Sequence, residues 1–294
     1  MKNSILNYLV IAAMIILAVF SGCKKEETGG NSGNTSENFV IEATNVIGDD
    51  DSKVATVKLD GDEIVVSAPY QNHGFKLIMP KTIEPKVLYP IKENSKMFYS
   101  YDESSRFDKL NINNRDAKMY EKWYMCAYDS HDNLIGHIVF WMYENSEETN
   151  YPDGFVLWFY LDSDVTIQGT TNEQETVTSA VVYYNGELYQ NIPYTRNDIH
   201  IYDLNLKKGW NVVYTFDKGD VSCDGSKYTT TNTTTFTTQK PTNMTYKWEY
   251  SEGSDWKKTI NNVQTGRAPS PQNIQIYDIS GRVVQTQLIA SLNN

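Results

Sequence analysis

The densest group of metal-ligating side chains in this sequence surrounds one predicted turn. His131 and His137 flank the turn, and Asp129 and Asp132 lie beside them. Imidazole nitrogens and carboxylate oxygens together suit a transition metal. The intervening residues, however, form a predicted hairpin with His131 at its tip. The sequence therefore favours a solvent-exposed turn histidine over a metal centre.

Acidic loops offer a second kind of site. Asp49-Asp50-Asp51 and the run Asp60–Glu63 would supply oxygen ligands for Ca²⁺ if their loops met, but neither has EF-hand spacing. Solvated acidic loops are the favoured interpretation. The sequence also lacks a glycine-rich phosphate loop and an H-E-x-x-H motif. We therefore predict no metal and no other cofactor.

Glycoside hydrolysis would need two carboxylates about 5 Å or 6.5–9.5 Å apart. The chain has 37 acidic residues, so the sequence neither excludes nor locates such a pair. Its 21 Tyr and 6 Trp residues suit stacking on sugars, although most aromatics of a β-sandwich belong to the core. Asp153, Trp210 and Trp256 lie near predicted loops and would be the first places to look. No catalytic residue is assigned, and a non-catalytic protein is favoured.

The N-terminus carries the clearest signal. Tyr8–Phe20 is a run of 13 apolar residues, too short for a membrane span of about 20 but suited to the apolar region of a secretory signal peptide. The small residues Ser21 and Gly22 follow, and then Cys23. Small residues at this place are typical of a signal-peptidase cleavage site. The sequence therefore predicts an exported protein.

Ser21-Gly22-Cys23 resembles the end of a bacterial lipoprotein signal, although Phe20 replaces the preferred leucine. The resemblance implies cleavage between Gly22 and Cys23 and acylation of the Cys23 thiol with palmitate-like chains. An ordinary signal peptide with an incidental cysteine is the alternative. The following Lys24–Glu27 resembles the start of Bacteroidetes lipoproteins, which implies an outer-membrane anchor facing either the cell surface or the periplasm.

The amino-acid composition limits the kinds of molecule that this protein is expected to bind. The formal net charge is −11, and the signal segment carries one lysine and no acid, so its removal makes the chain more acidic still. Such acidity argues against nucleic acid as a partner. Cys126 and Cys223 would enter an oxidising compartment, where a disulfide can form. Because one lies in an apolar run and the other in a polar loop, a free, buried Cys126 is favoured.

Strand-forming residues and frequent turns predict an all-β fold, an antiparallel β-sandwich. Phe155–Leu161 is apolar on both faces and should lie near a sheet centre. Asn185-Gly186 predicts a two-residue hairpin, and a second hairpin should join Lys122–Tyr128 to Leu134–Tyr143. The threonine-rich Thr229–Thr238 is expected to be an exposed or edge strand, with a disordered linker as the alternative. Further strands are predicted at Glu63–Val66, Phe75–Met79, Val165–Ile167, Ile199–Asp203, Trp210–Phe216 and Met244–Tyr250.

The organisation along the chain follows from these elements. We predict a signal peptide (1–22), a flexible Gly/Ser/Asn-rich tether (23–38), a small N-terminal β-unit (39–101), a main β-sandwich (109–250) and a weakly structured tail with a hairpin (251–294). The two β-segments form either two domains or one interleaved sandwich.

Two wider resemblances support this organisation. Val65–Pro80, Val156–Thr170 and Leu204–Tyr214 are similar to segments of uncharacterised all-β Bacteroidetes lipoproteins, which implies location and architecture but no catalytic residue. Asn273–Thr286 resembles the opening strands of a type IX secretion sorting domain. The expected later strands do not follow, so a simple hairpin turning at Ser280-Gly281 is favoured over a working sorting signal.

Together these observations predict a lipid-anchored envelope protein that binds a glycan, a peptide or a partner protein without catalysis. A glycan hydrolase with paired carboxylates and a structural subunit of an outer-membrane assembly remain the alternatives. The membrane is contacted through acyl chains on Cys23.

Overall fold

The computed structural model describes residues 38–48, 53–60, 64–94, 106–144, 152–184, 187–253, 272–277 and 283–289. The predicted all-β fold is confirmed. The described residues form 18 strands, one four-residue helix, α1 (Ile91–Asn94), and two 3₁₀ turns, Pro85–Val87 and Phe107–Lys109. None of the helices in these ranges is long and apolar enough to cross a membrane.

Most strands join one 14-stranded sheet that is bent into two layers. The front layer has the order β4-β3-β9-β10-β16-β2, and its strands are β2 (Val46–Ile47), β3 (Thr56–Asp60), β4 (Ile64–Pro69), β9 (Tyr124–Tyr128), β10 (Leu134–Glu144) and β16 (Met244–Glu252). The rear layer has the order β6-β8-β11-β14-β15-β13-β12-β7. Its strands are β6 (Tyr89–Pro90), β7 (Asn111–Ile112), β8 (Lys118–Lys122), β11 (Gly154–Leu161), β12 (Val165–Tyr184), β13 (Glu187–Leu206), β14 (Gly209–Cys223) and β15 (Tyr228–Thr237).

The two layers meet where β10 pairs with β11 over two residues, Trp141 with Phe155 and Met142 with Gly154. Glycine is needed here because a Cβ on Gly154 would lie 2.1 Å from the carbonyl oxygen of Thr215 on β14. Because β10 and β11 pair over only two residues, the sheet can turn at this point from the front layer, which contains β10, into the rear layer, which contains β11.

Strand β11 is buried on both faces, as its sequence predicts. Val156, Trp158 and Tyr160 face the main core between the layers, where Trp158 stacks on Trp248 of β16 with ring centroids 5.6 Å apart. Leu157, Phe159 and Leu161 face a second core on the far side of the rear layer. This strand is therefore the centre of the molecule.

Both N-terminal and later strands build the main core. β3 pairs with β9 and β2 pairs with β16, while β1 (Val40–Ala43) and β5 (Phe75–Ile78) form a separate two-stranded sheet that packs on the same core. The two predicted β-segments thus contribute to one sheet and one core. The hairpin joining β9 to β10 is confirmed, with Tyr128 opposite Leu134.

Four long strands extend the rear layer. β12 and β13 have 20 residues each and pair up to Tyr184 and Glu187, which confirms the predicted hairpin. The turn residues Asn185 and Gly186 lie outside the described residues. At about 3.3 Å per residue, each strand spans roughly 60 Å. The strands thus reach well beyond the second core.

The threonine-rich strand β15 departs from the expectation. It lies inside the sheet, parallel to β13 and antiparallel to β14, so the prediction of an edge strand or linker is wrong. The physical reason is that one face of β15 meets polar side chains, which threonine hydroxyls can pair with. At the other end of the chain, β17 (Gln272–Tyr277) and β18 (Val283–Ile289) form an antiparallel hairpin, and Ser280-Gly281 lie outside the described residues.

Candidate functional site

A band of polar side chains crosses the face of β12, β13, β15 and β14 that also carries the second core. Register places the residues in rows: Thr171, His200, Thr234 and Asp217 share one row, and Glu173, Asp198 and Asn232 share the next. Glu175, Arg196 and Thr230 form a third. We call these ten residues the polar band.

Apolar clusters lie on both sides of the polar band. Towards the second core, Tyr202 and Phe236 stack with ring centroids 4.9 Å apart. Towards the hairpin end, Tyr194, Tyr228 and Ile192 form a third core. The band therefore interrupts a face that is otherwise apolar.

Ion pairs and hydrogen bonds hold most of the band. Arg106, which precedes the second 3₁₀ turn, places Nε 2.9 Å from Oε1 of Glu173, and the two side chains are only 10 % and 14 % exposed. Nε of Arg196 lies 2.8 Å from Oδ2 of Asp198. Asn232 donates to Oδ1 of Asp198 over 3.0 Å. A charged group that is removed from water needs a partner of opposite charge. Here each arginine is paired with one carboxylate, so the charges within each pair cancel.

Within the described part of the chain, three buried atoms of the band have no hydrogen-bond partner: Nδ1 of His200, Oγ1 of Thr171 and Nε of Arg196. Nε of Arg196 is still paired by charge with Asp198, whereas the other two atoms have no ion pair either. His200 is 8 % exposed and Thr171 only 2 %. They are cross-strand partners, so their Cβ atoms should lie about 4.5–5.5 Å apart. A single small group could therefore reach both.

Electrostatics in the first row is unusual. Burial, reinforced by the Arg106 cation, lowers the pKa of His200 to about 4, so its imidazole is neutral at pH 7. Burial raises the pKa of Asp217 to about 6, with added repulsion from Asp198, although Thr234 donates to its Oδ1 over 2.5 Å. A neutral histidine and a carboxylate that titrates near neutrality therefore share one row.

The residues first considered for metals lie elsewhere. His131 is exposed at its turn, where its backbone N–H donates to Oδ1 of Asp129 over 2.9 Å. His137 is buried on β10 against the ring of Tyr124. Among the described residues there is no group of three or more His, Cys, Asp or Glu side chains that could hold a metal. Residues 49–52 and 61–63 lie outside the described ranges.

The loop residues first considered for sugars have structural contacts. The indole N–H of Trp210 donates to the carbonyl of Pro80 over 2.8 Å, and its ring packs on Tyr160. Asp153 is buried and accepts from the backbone N–H of Glu144 over 2.6 Å. Trp256 lies outside the described residues. Neither described side chain belongs to the polar band.

Cys126 is buried in β9 and Cys223 is half-buried at the end of β14, and neither forms a disulfide. The predicted lipid site, Cys23, and the residue before it, Gly22, lie outside the described residues, as do the signal segment and nearly all of the tether. The acylation of Cys23 therefore stays a prediction.

Sequence reasoning missed the polar band, although β13 carried a usable signal. Alternate residues of a strand share a face, and the face of Tyr202, Leu204 and Leu206 continues to His200 and Asp198. Three of these side chains are fully apolar or aromatic, and the two polar ones interrupt their pattern. Polar residues at the inward-facing positions of a strand indicate a buried polar site.

Comparison with known proteins gives no matching family model, no matching curated protein and no matching solved structure. Inference about function therefore rests on the residues of this chain.

Proposed function

We propose that this chain is a lipid-anchored outer-membrane β-sandwich protein that acts as a non-catalytic binding module for a glycan, a peptide or a partner protein. The polar band is the observation that carries the binding role. Replacing a buried ion pair by apolar residues is often neutral or stabilising, so the fold alone gives little reason to interrupt an apolar face with charges. A ligand that bonds to these charged and polar groups would supply such a reason.

The anchor is supported by the sequence Ser21-Gly22-Cys23 after a 13-residue apolar run. One acyl chain holds a protein only marginally, whereas two or more hold it persistently. Labelling cells with an alkyne fatty acid should mark the wild-type chain. Cys23→Ala should abolish the label, while Cys223→Ala, the control, should retain it. Label that persists in Cys23→Ala would contradict the anchor.

Binding is tested with the full-length chain in detergent, against purified envelope polysaccharide and separately against envelope peptides. Asp198→Ala removes the carboxylate that forms an ion pair with Arg196 and accepts a hydrogen bond from Asn232. Asp203→Ala is the matched control, because Asp203 is exposed on the opposite face of the same strand. We expect Asp198→Ala alone to weaken binding. Equal binding by both variants, or none by the wild type to either class, would contradict the proposal.

A glycan hydrolase is the second candidate, and Asp217 favours it. A carboxyl group with a pKa near 6 beside another carboxylate, here Asp198, suits a general acid. Release of reducing sugar from envelope polysaccharide would reveal the activity, and Asp217→Asn should then lower its rate by about 10²–10⁴-fold. Binding without any release would leave the non-catalytic module as the better account.

A further inference from the structure

The first row of the polar band contains two buried, uncharged polar atoms that have no hydrogen-bond partner among the described residues. A buried donor or acceptor without a partner destabilises the folded state. Nδ1 of His200 and Oγ1 of Thr171 carry this cost side by side. Nε of Arg196 also lacks a hydrogen bond, but it faces the Asp198 carboxylate at 2.8 Å, so the two uncharged atoms are the ones left for a neutral ligand.

Their chemistry restricts what can bind. A neutral imidazole offers one donor and one acceptor nitrogen, and a threonine hydroxyl is both donor and acceptor. Adjacent hydroxyl groups on a sugar ring have the same dual character. They can therefore bond to both atoms, whichever tautomer His200 adopts.

Charge disfavours an anion. Both guanidinium groups of the site, those of Arg106 and Arg196, already lie within 2.9 Å of a carboxylate. A carboxylate or phosphate ligand would compete with Glu173 and Asp198 for them and would be repelled by Asp217. A neutral ligand meets no such repulsion.

Exposure indicates the direction of approach. Thr171 and His200 are nearly fully buried, the side chains of Arg196 and Asp198 are 19 % and 22 % exposed, and Glu175 is exposed. On β12, accessibility thus rises from Thr171 in the first row to Glu175 in the third, whereas Thr230, the β15 member of the third row, is buried. A ligand entering beside Glu175 would pass the charged pair and end at the unsatisfied groups.

We propose that the polar band binds a neutral, hydroxyl-rich carbohydrate whose hydroxyl groups bond to Nδ1 of His200 and Oγ1 of Thr171. This inference rests on the proposed binding role and names the ligand class of that same site. Arg196 and Asp198 position the ligand at the entrance.

The test is a glycan array probed with the full-length chain in detergent, carrying neutral, acidic and amino sugars. His200→Gln and Thr171→Val remove one bonding group each with little change in volume. Their matched controls are His131→Gln, in an exposed turn, and Thr170→Val, exposed on the same strand. We expect neutral glycans to bind, each site variant to raise Kd roughly 3–10-fold and the controls to leave it unchanged.

A second measurement uses the wild type alone, so it does not depend on whether a variant folds. The chain has four histidines, so ¹⁵N-histidine NMR of the wild type gives few signals. Titration with the best neutral glycan should move the ring resonances of His200 and leave those of His131 in place. A glycan that binds while His200 does not move would place the site elsewhere, overturning this inference but not the binding role.

Binding restricted to acidic or amino sugars would also overturn it. If no glycan binds at all, the inference fails, and the peptide measurement described above decides separately whether the binding role survives.

Discussion

The main core and the polar band are both removed from water, but different forces hold them. Around Trp158 the layers meet through aromatic and aliphatic contacts, including its stacking on Trp248. Around Asp198 the contacts are an ion pair and a hydrogen bond. Apolar packing tolerates any group of suitable shape, whereas a polar cluster stabilises only when each member has a partner. The first region therefore holds the fold together by packing, whereas the second depends on specific partners and is the site at which we propose that a ligand binds.

The largest expected effect lies in the apolar region. Phe159→Ala on β11 should lower the free energy of unfolding by about 3–5 kcal/mol, because it leaves a cavity in the second core. Chemical denaturation of the full chain measures it. Leu188→Ala, at an exposed position, should change stability by less than about 0.5 kcal/mol. Equal effects of the two variants would remove the distinction between core and surface.

The polar region should be nearly as sensitive when one partner is lost. Arg106→Met leaves the carboxylate of Glu173, which is only 14 % exposed, without its cation and should cost about 3 kcal/mol in unfolding free energy. The double variant with Glu173→Met should recover much of that loss. Arg115→Met breaks the exposed pair with Asp108 and should cost under about 1 kcal/mol. A double variant no better than Arg106→Met would show that the pair itself stabilises the fold.

The first row of the band should give an unusual pH dependence. Asp217, with a folded pKa of about 6 above its unfolded value of 3.8, stabilises the fold at low pH, and this contribution is lost as pH rises from 4 to 6. His200, with a pKa lowered from 6.5 to about 4, acts oppositely: its contribution is lost as pH falls from 6.5 to 4. The two changes offset each other in the wild type.

Single variants should reveal how each of the two groups changes the stability with pH. Relative to the wild type, Asp217→Asn should lose stability as pH falls from 6 to 4, and His200→Gln should gain it, each by roughly 1–3 kcal/mol. Unfolding free energies at pH 4, 5, 6 and 7 measure both. A difference from wild type that stays constant with pH would mean that the group does not titrate in this range.

The smallest effect is expected at the boundary between the two kinds of packing. The hydroxyl of Tyr194 lies 3.1 Å from Oγ1 of Thr230, and both side chains are buried. Tyr194→Phe should cost about 1 kcal/mol, and adding Thr230→Val should cost little more. Tyr189→Phe, which loses an exposed bond to Glu187, should be near neutral. Additive losses in the double variant would contradict a shared hydrogen bond.

The sequence predicted the apolar region better than the polar one. Strand β11 could be placed at the centre because the apolar character of both faces lies within one continuous stretch, and the hairpins were predicted because their turns are local. The β12–β13 hairpin already brings Thr171 to His200 and Glu173 to Asp198. The complete band was missed because Asn232 and Thr234 join it only through a parallel pairing of β13 with β15 that no local pattern specifies. The same pairing explains why β15 was expected at an edge.

The position of β15 bears on how the chain matures. β13 and β14 follow each other in sequence, yet β15, synthesised after both, lies between them. Until it arrives, two strand edges stay open and the Asn232 and Thr234 groups of the band are missing. Its parallel pairing joins residues 34 positions apart, and such non-local contacts form slowly. The insertion of β15 between β13 and β14 therefore closes the rear layer and completes the polar band.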